Sequence, residues 1–274
     1  MIDALRNAWG GGDIIWLSPD KAAEFMVQTR LSNEADVWAS LQVQGVDMIV
    51  QPAKERRKAV LLADMDSTMI EQECIDELAE ELGVGPRVAE ITARAMNGEI
   101  DFDGALLERV GLMAGQDAKI ITHVLKTRIS YMPGGQTLVS TMKANGGYCA
   151  LVSGGFTDFT GPVASYLGFD ENRANEFIMK DGQFSGDVTR PILGREAKVV
   201  ALNEITSARD LTTADVIAVG DGANDLGMLQ LAGTGVALHA KPSVQAQAKH
   251  RINHCDLTAL LFIQGYSSDE FQDA

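Results

Sequence analysis

The chain has 274 residues, 46% of them hydrophobic and 22% charged, with a formal net charge of −15. That length carries a sizeable core, and the composition is that of an ordinary soluble globular protein. The acidic excess argues against a nucleic-acid backbone or an anionic membrane as the main partner, but not against an anionic substrate, because a metal ion and a few placed cations reverse the field locally.

Residues 1–55 predict a small N-terminal α+β module of unassigned role. It holds a strand at 13–17, a helix at 19–29 on Ala22, Ala23, Phe25 and Met26, a second helix from Ser32 or Asn33 to about Val43, and a short strand at 47–51. Residues 52–58, polar and basic, read as a solvated linker. A short apolar run at 59–63 then predicts a buried strand. Residues 71–127 read as helices: Ile75, Leu78, Ala79 and Leu82 share one face that stops near Gly83 and Pro86, a further helix spans 88–96, and Gly98 interrupts before Phe102. The next strand, 147–152, runs into Ser153-Gly154-Gly155. Residues 177–178 and 184–188 flank Lys180-Asp181-Gly182 as a hairpin. A helix is expected at 196–204, a strand at 216–219 ending in Gly220-Asp221-Gly222, and short strands at 235–238 and Ile252. Alternating strands and helices predict an α/β fold with a largely parallel sheet, whose ligands bind outside the carboxyl ends of the strands.

Cys74, Cys149 and Cys255 show neither zinc spacing nor a disulfide framework and read as free thiols of a reducing compartment. Asp3, Arg6 and the Gly10–Gly12 run break any signal-peptide layout, and no run of about 18 apolar residues occurs. A cytoplasmic location is expected.

Three strand ends carry chemistry. Asp64 and Asp66 close the 59–63 strand, where alternate residues project to one face. Paired carboxylates there suit Mg²⁺, and a carboxylate is also a nucleophile toward phosphorus. Ser153-Gly154-Gly155 offers a hydroxyl and freely approached backbone N–H groups to a phosphate. Asp221, Asn224 and Asp225 bring three oxygen carriers within five residues after an apolar strand. Lys198 falls between these loops on the predicted helix. Taken singly, each has a plain structural reading as a turn, an Asx loop or a solvated lysine.

In this order the motifs resemble the haloacid dehalogenase (HAD) superfamily of Mg²⁺-dependent phosphatases. Asp64-Met-Asp-Ser-Thr-Met-Ile-Glu-Gln-Glu-Cys-Ile-Asp-Glu, Ile91-Thr-Ala-Arg-Ala-Met-Asn-Gly-Glu-Ile-Asp-Phe, the Arg109-Val pair, Val152-Ser-Gly-Gly-Phe and Gly220-Asp-Gly-Ala-Asn-Asp are similar, within it, to the phosphoserine phosphatases. The resemblance spans about 58–262. It implies a HAD-like Rossmannoid core at 56–70 and 128–274, with a helical cap at 71–127 inserted after the first core strand. It also implies Mg²⁺-dependent hydrolysis of O-phospho-L-serine to L-serine and phosphate through an aspartyl-phosphate, the last step of serine biosynthesis.

By the same resemblance Asp64 is the nucleophile and Asp66 the acid and base. Mg²⁺ is held by Asp64, the Asp66 carbonyl and Asp221, with Asp225 supporting that shell. Ser153, Gly154, Lys198 and Asn224 meet the phosphate, Glu73 and Arg109 the amino-acid part, and Met96 and Phe102 line the closed pocket. The implied partner is a small phosphomonoester, with no nucleic acid and no membrane, and a homodimer is left open.

Overall fold

The computed structural model describes residues 1–273. The chain opens with helix α1 (Ile2–Ala8), an antiparallel ribbon of β1 (Ile15–Ser18) and β2 (Ala22–Glu24), and helix α2 (Glu34–Val43). The helix expected at 19–29 is absent. Asp20 turns the chain at φ 57°, Ala23 pairs with Trp16, and the Phe25 ring meets Trp9 edge-on at 6.4 Å. The four apolar residues that suggested a helix serve a short strand and its exit equally well. Residues 47–51 form no strand either. Their anchor is the Asp47 carboxylate, which accepts 2.9 Å hydrogen bonds from the N–H groups of Asn253, His254 and Cys255. Within 52–58, Arg56 pairs with Glu24, Arg57 pairs with Glu270 at 2.6 Å and covers the Tyr266 ring, and Lys58 donates to the Ala214 carbonyl at 2.8 Å. Its charges therefore do more than face solvent.

Strand β3 (Val60–Ala63) is buried at every residue. Four helices follow: α3 (Cys74–Glu81), α4 (Gly85–Met96), α5 (Phe102–Gly111) and α6 (Ile120–Thr127). Gly83 and Gly98, at φ +70° and +75°, close α3 and α4 in the left-handed region where a Cβ is costly. Asp101 caps α5, accepting from the Gly104 N–H at 2.8 Å. Then come α7 (Gly135–Ala144), β4 (Tyr148–Phe156), α8 (Thr157–Leu167), β5 (Glu171–Asn175), the hairpin β6 (Phe177–Lys180) and β7 (Gln183–Val188), α9 (Arg195–Ser207), β8 (Val216–Gly220), α10 (Leu226–Leu231), β9 (Thr234–Leu238), α11 (Pro242–Gln245), β10 (His250–Ile252) and α12 (Ala259–Ile263).

Six strands form one parallel sheet in the order β10-β9-β8-β3-β4-β5. Leu61, Ala63, Cys149, Leu151, Ile217 and Val219 enter one hydrophobic layer; Val60, Leu62, Ala150, Val152, Val216 and Ala218 enter the other. This two-residue alternation, apolar on both faces, marks a sheet sandwiched between helices. The chain leaves β3 toward β4 on one side and returns to β8 on the other. The carboxyl ends of β3, β4 and β8 thus flank a topological switch point, where such sheets bind ligands. Among the described residues no helix is long and apolar enough to cross a membrane.

Candidate active site

The backbone of β3 delivers Asp64 into the switch point, with its N–H bonded to the Val219 carbonyl at 3.0 Å. The residue is 4% exposed. Its Oδ1 accepts from the Met65 N–H at 2.8 Å and lies 2.7 Å from Lys198 Nζ. Lys198, in the first turns of α9 and 1% exposed, also bonds Asp225 Oδ1. Asp225 Oδ2 in turn accepts from the Gly222 N–H at 2.9 Å, tightening the turn after β8. One ammonium thus joins two strand ends.

Burial strongly raises the Asp64 carboxyl, and neighbouring Asp225 adds to this against the opposing pull of Lys198. Asp221 is pushed up to about 6 by burial and by Asp225. Burial would lower Lys198, but Asp64 and Asp225 outweigh it and hold the ammonium firmly charged.

Oxygen atoms of Asp64, Asp221 and Asp225 lie within 4.8 Å of one another. Three carboxylates facing the buried Lys198 ammonium, with Lys241 acting weakly on Asp221, leave an excess of negative charge in a largely buried place. This donor set, all oxygen, fits a hard divalent cation.

Asp66 is held through both oxygens. Oδ1 accepts from the Cys74 N–H at 2.8 Å, at the start of α3, and Oδ2 from Ser153 Oγ at 3.0 Å. Burial raises its carboxyl, opposed by these bonds. Ser153 Oγ also accepts from the Gly155 N–H at 2.8 Å. Sequence reasoning ends the strand at Val152, whereas β4 continues to Phe156. Val152 pairs with Arg173 and Phe156 with Asn175, so four residues of β4 pass two of β5 and Ser153–Gly155 bulge from the ladder. Asn224 occupies the same turn as Asp221, its amide oxygen folded against Gly222.

From the helical insertion, Glu73 accepts a 2.7 Å bond from Ser67 Oγ and is pushed up to about 7 by burial and then by Asp66. Arg109 bonds the Ala105 carbonyl through Nε at 3.2 Å. Burial lowers its guanidinium against the pull of Asp76, Glu73 and Asp66. The Phe102 ring lies over two glycines: a Cβ on Gly154 or Gly194 would come within 3.2 Å of it. Met96 ends α4 and is 68% exposed. Sequence reasoning missed Ser67, at φ 53°, and Asp76, which faces Arg109 electrostatically. It missed Asn175 as well, whose amide bonds the Gly154 carbonyl at 2.9 Å.

The family of haloacid dehalogenase-like hydrolases matches residues 61–230. A phosphoserine phosphatase of Lactococcus lactis is 40% identical over 214 residues, 78% of this chain and 99% of that protein. One of Streptomyces coelicolor is 38% identical over 93% of this chain, which spans only 63% of that relative's length. Among solved structures, a HAD family hydrolase of Salmonella enterica serovar Typhi superposes with a TM-score of 0.86 at 29% identity, covering 98% of this chain and 94% of that one. A substrate-bound phosphoserine phosphatase superposes at 0.70 with 36% identity, over 75% of this chain and 98% of that one. With the paired aspartates at the switch point, the lysine bridge and the match across the core strands, this chain belongs to the haloacid dehalogenase-like hydrolase family.

Proposed function

We propose that this chain is a phosphoserine phosphatase. It hydrolyses O-phospho-L-serine to L-serine and phosphate, in the cytoplasm, as the last step of serine biosynthesis. The observation that carries this reading is Asp64, buried at the end of β3 and braced by Lys198 while Asp66 is fixed beside it by Ser153 and the Cys74 N–H.

Both bonds to Asp64 fall on Oδ1. The other oxygen is the one presented to phosphorus. Asp64 attacks, the bond from phosphorus to the serine oxygen breaks, and Asp66 gives that oxygen a proton. The raised Asp66 carboxyl suits a donor. Asp66 then takes a proton from the water that attacks the aspartyl-phosphate, and Asp64 is released. Lys198, Ser153, the Gly154 N–H and Asn224 meet the phosphoryl oxygens, since phosphoryl transfer depends on positioned charge more than on covalent help. Asp64, Asp221 and the Asp66 carbonyl would hold Mg²⁺, with Asp225 behind them. When bound, it neutralises charge on the transferring group.

Residues 71–127 act as the cap over this core of 56–70 and 128–274. Glu73 and Arg109 read the ammonium and carboxylate of the substrate, and Phe102 and Met96 close the pocket and exclude water. Residues 1–55 form a module without a catalytic role.

The test is phosphate release from a set of small phosphomonoesters with and without Mg²⁺. O-phospho-L-serine is expected to be the best substrate, only with the metal. Asp64→Asn should cut turnover by at least about a thousandfold, roughly 4 kcal/mol of barrier. Near-normal turnover by that variant would eliminate the mechanism.

A further inference from the structure

Asn175 ends β5, is 3% exposed and spends its whole amide on two distant backbones. Nδ2 donates to the Gly154 carbonyl at 2.9 Å and to the Leu193 carbonyl at 3.1 Å, while Oδ1 accepts from the Leu193 N–H at 2.7 Å. Gly154 lies in the bulge of β4 beside Ser153. Leu193 precedes Gly194, the N-cap of α9, the helix that presents Lys198. The Phe102 ring spans Gly154, an acceptor of the amide, and Gly194, the residue after its other partner Leu193. Residues 175 and 193 also bracket the β6–β7 hairpin, which the Thr189 N–H to Glu176 carbonyl bond closes at 2.9 Å. That hairpin bonds the helical insertion through Gly115 N–H to Phe184 O at 2.8 Å, Phe184 N–H to Gln116 O at 3.0 Å and Ala118 N–H to Gly182 O at 2.9 Å.

We propose that Asn175 is a positioning residue. Its amide locks the Ser153–Gly155 bulge to the start of α9, setting the phosphate-facing groups of the bulge and Lys198 at a fixed separation and making the glycine floor on which Phe102 closes. This rests on the phosphatase reading above for its kinetic consequence, but not for its geometry. Glycines 154 and 155 have no side chains to hold the bulge, so a buried side-chain amide that satisfies two carbonyls and one N–H supplies the rigidity. Donors aimed at developing charge work only if they are in place before the reaction, and a displacement of about 1 Å can cost about a hundredfold in rate.

Asn175→Asp keeps the size and the acceptor for Leu193 but removes both donated bonds. With Mg²⁺ and O-phospho-L-serine, kcat should fall at least about tenfold, by more than KM rises. Amide hydrogen exchange should accelerate within 153–156 and 193–198 and stay unchanged in the rest of the sheet. Asn175→Ser leaves room for one bridging water and should recover part of both effects. It carries the same measurements if the Asp variant does not fold. A kcat within about twofold of the parent in a folded variant overturns the proposal. So does exchange that rises throughout the sheet with a fall in Tm that tracks the lost activity. If the parent hydrolyses no phosphomonoester, the phosphatase reading fails by itself and exchange alone decides: acceleration confined to the two segments supports the lock, and unchanged exchange overturns it.

Discussion

Lys198 Nζ lies 2.7 Å from Asp64 Oδ1 with both side chains almost wholly buried, and the same ammonium bonds Asp225. Lys198→Met preserves much of the volume and removes the only charge opposing the two carboxylates in this bridge. Breaking a buried pair from one side costs about 3–5 kcal/mol. We expect a loss of that order in urea unfolding at pH 8 without divalent metal, and loss of phosphatase activity. Burial and Asp225 raise the Asp64 carboxyl against the pull of Lys198, and removing the ammonium raises it further. Acid therefore relieves the variant, and the deficit should shrink at pH 5. An equal deficit at both pH values would assign Lys198 a packing role.

Asp221 tests the cation site separately from the lysine bridge. Its carboxyl, pushed up to about 6 by burial and Asp225, lies with Asp64 and Asp225 in one oxygen cluster. A ligand at about 100 times its Kd stabilises the folded state by about 2.7 kcal/mol. For a chain of this size that is roughly 5–10 °C in Tm. Saturating Mg²⁺ should give a shift of this order in the parent protein and little in Asp221→Asn, together with loss of phosphate release. An undiminished shift in the variant would place the cation elsewhere.

What the sequence revealed depends on how far each residue must reach. Asp64 and Asp66 were legible because two-residue spacing at the end of an apolar run fixes their face. Strands β3, β4, β8 and β9 and helices α3, α4 and α9 follow from the same local periodicities, whereas α7 and α8 have no counterpart in the sequence reading. The 19–29 segment was misread because Ala22, Ala23, Phe25 and Met26 fit a helix face and a short ribbon alike, and the choice falls to pairing with Trp16. Strand β5, Glu-Asn-Arg-Ala-Asn, is a polar edge strand with no apolar alternation to announce it. Asn175 and Asp47 act on backbones brought close only by the fold. For Asp47 the partners lie more than 200 residues along the chain.

Asp47 gives a prediction about the N-terminal segment. Burial works to raise its carboxyl, but three backbone N–H bonds outweigh this and hold it below the usual carboxylate range. Asp47→Ala leaves those donors without their acceptor and should cost about 2–3 kcal/mol near neutral pH. A carboxyl lowered in the fold stabilises above its unfolded pKa of about 3.9 and loses that contribution as pH falls through the lower folded value. The difference between parent and variant should therefore shrink in strong acid. Phosphate release should be unchanged, as it should for a chain beginning at Ala53, which loses the same anchor and the bond from Gln51 to Ile263 but keeps every site residue. A large fall in kcat in folded Asp47→Ala would give the segment a catalytic influence that its position does not suggest.

Arg109 tests the choice of substrate. Its Nε is tied to the Ala105 carbonyl at 3.2 Å on α5, which steadies the side chain and leaves the terminal nitrogens for a ligand. Burial lowers the guanidinium, and Asp76 and Glu73 oppose that shift. A planar guanidinium grips a carboxylate with two parallel hydrogen bonds, whereas lysine offers a point charge. Losing one partner of a desolvated pair costs about 2–5 kcal/mol. Arg109→Ala should lower kcat/KM for O-phospho-L-serine by roughly thirty- to several-thousandfold. Arg109→Lys should recover only part. Phosphoethanolamine has the ammonium but no carboxylate, so it should be a poor substrate of the parent and lose little more in either variant. The measurement is kcat/KM for both substrates with all three proteins. Equal proportional losses on the two would show that Arg109 supports the helical insertion and does not select the amino acid.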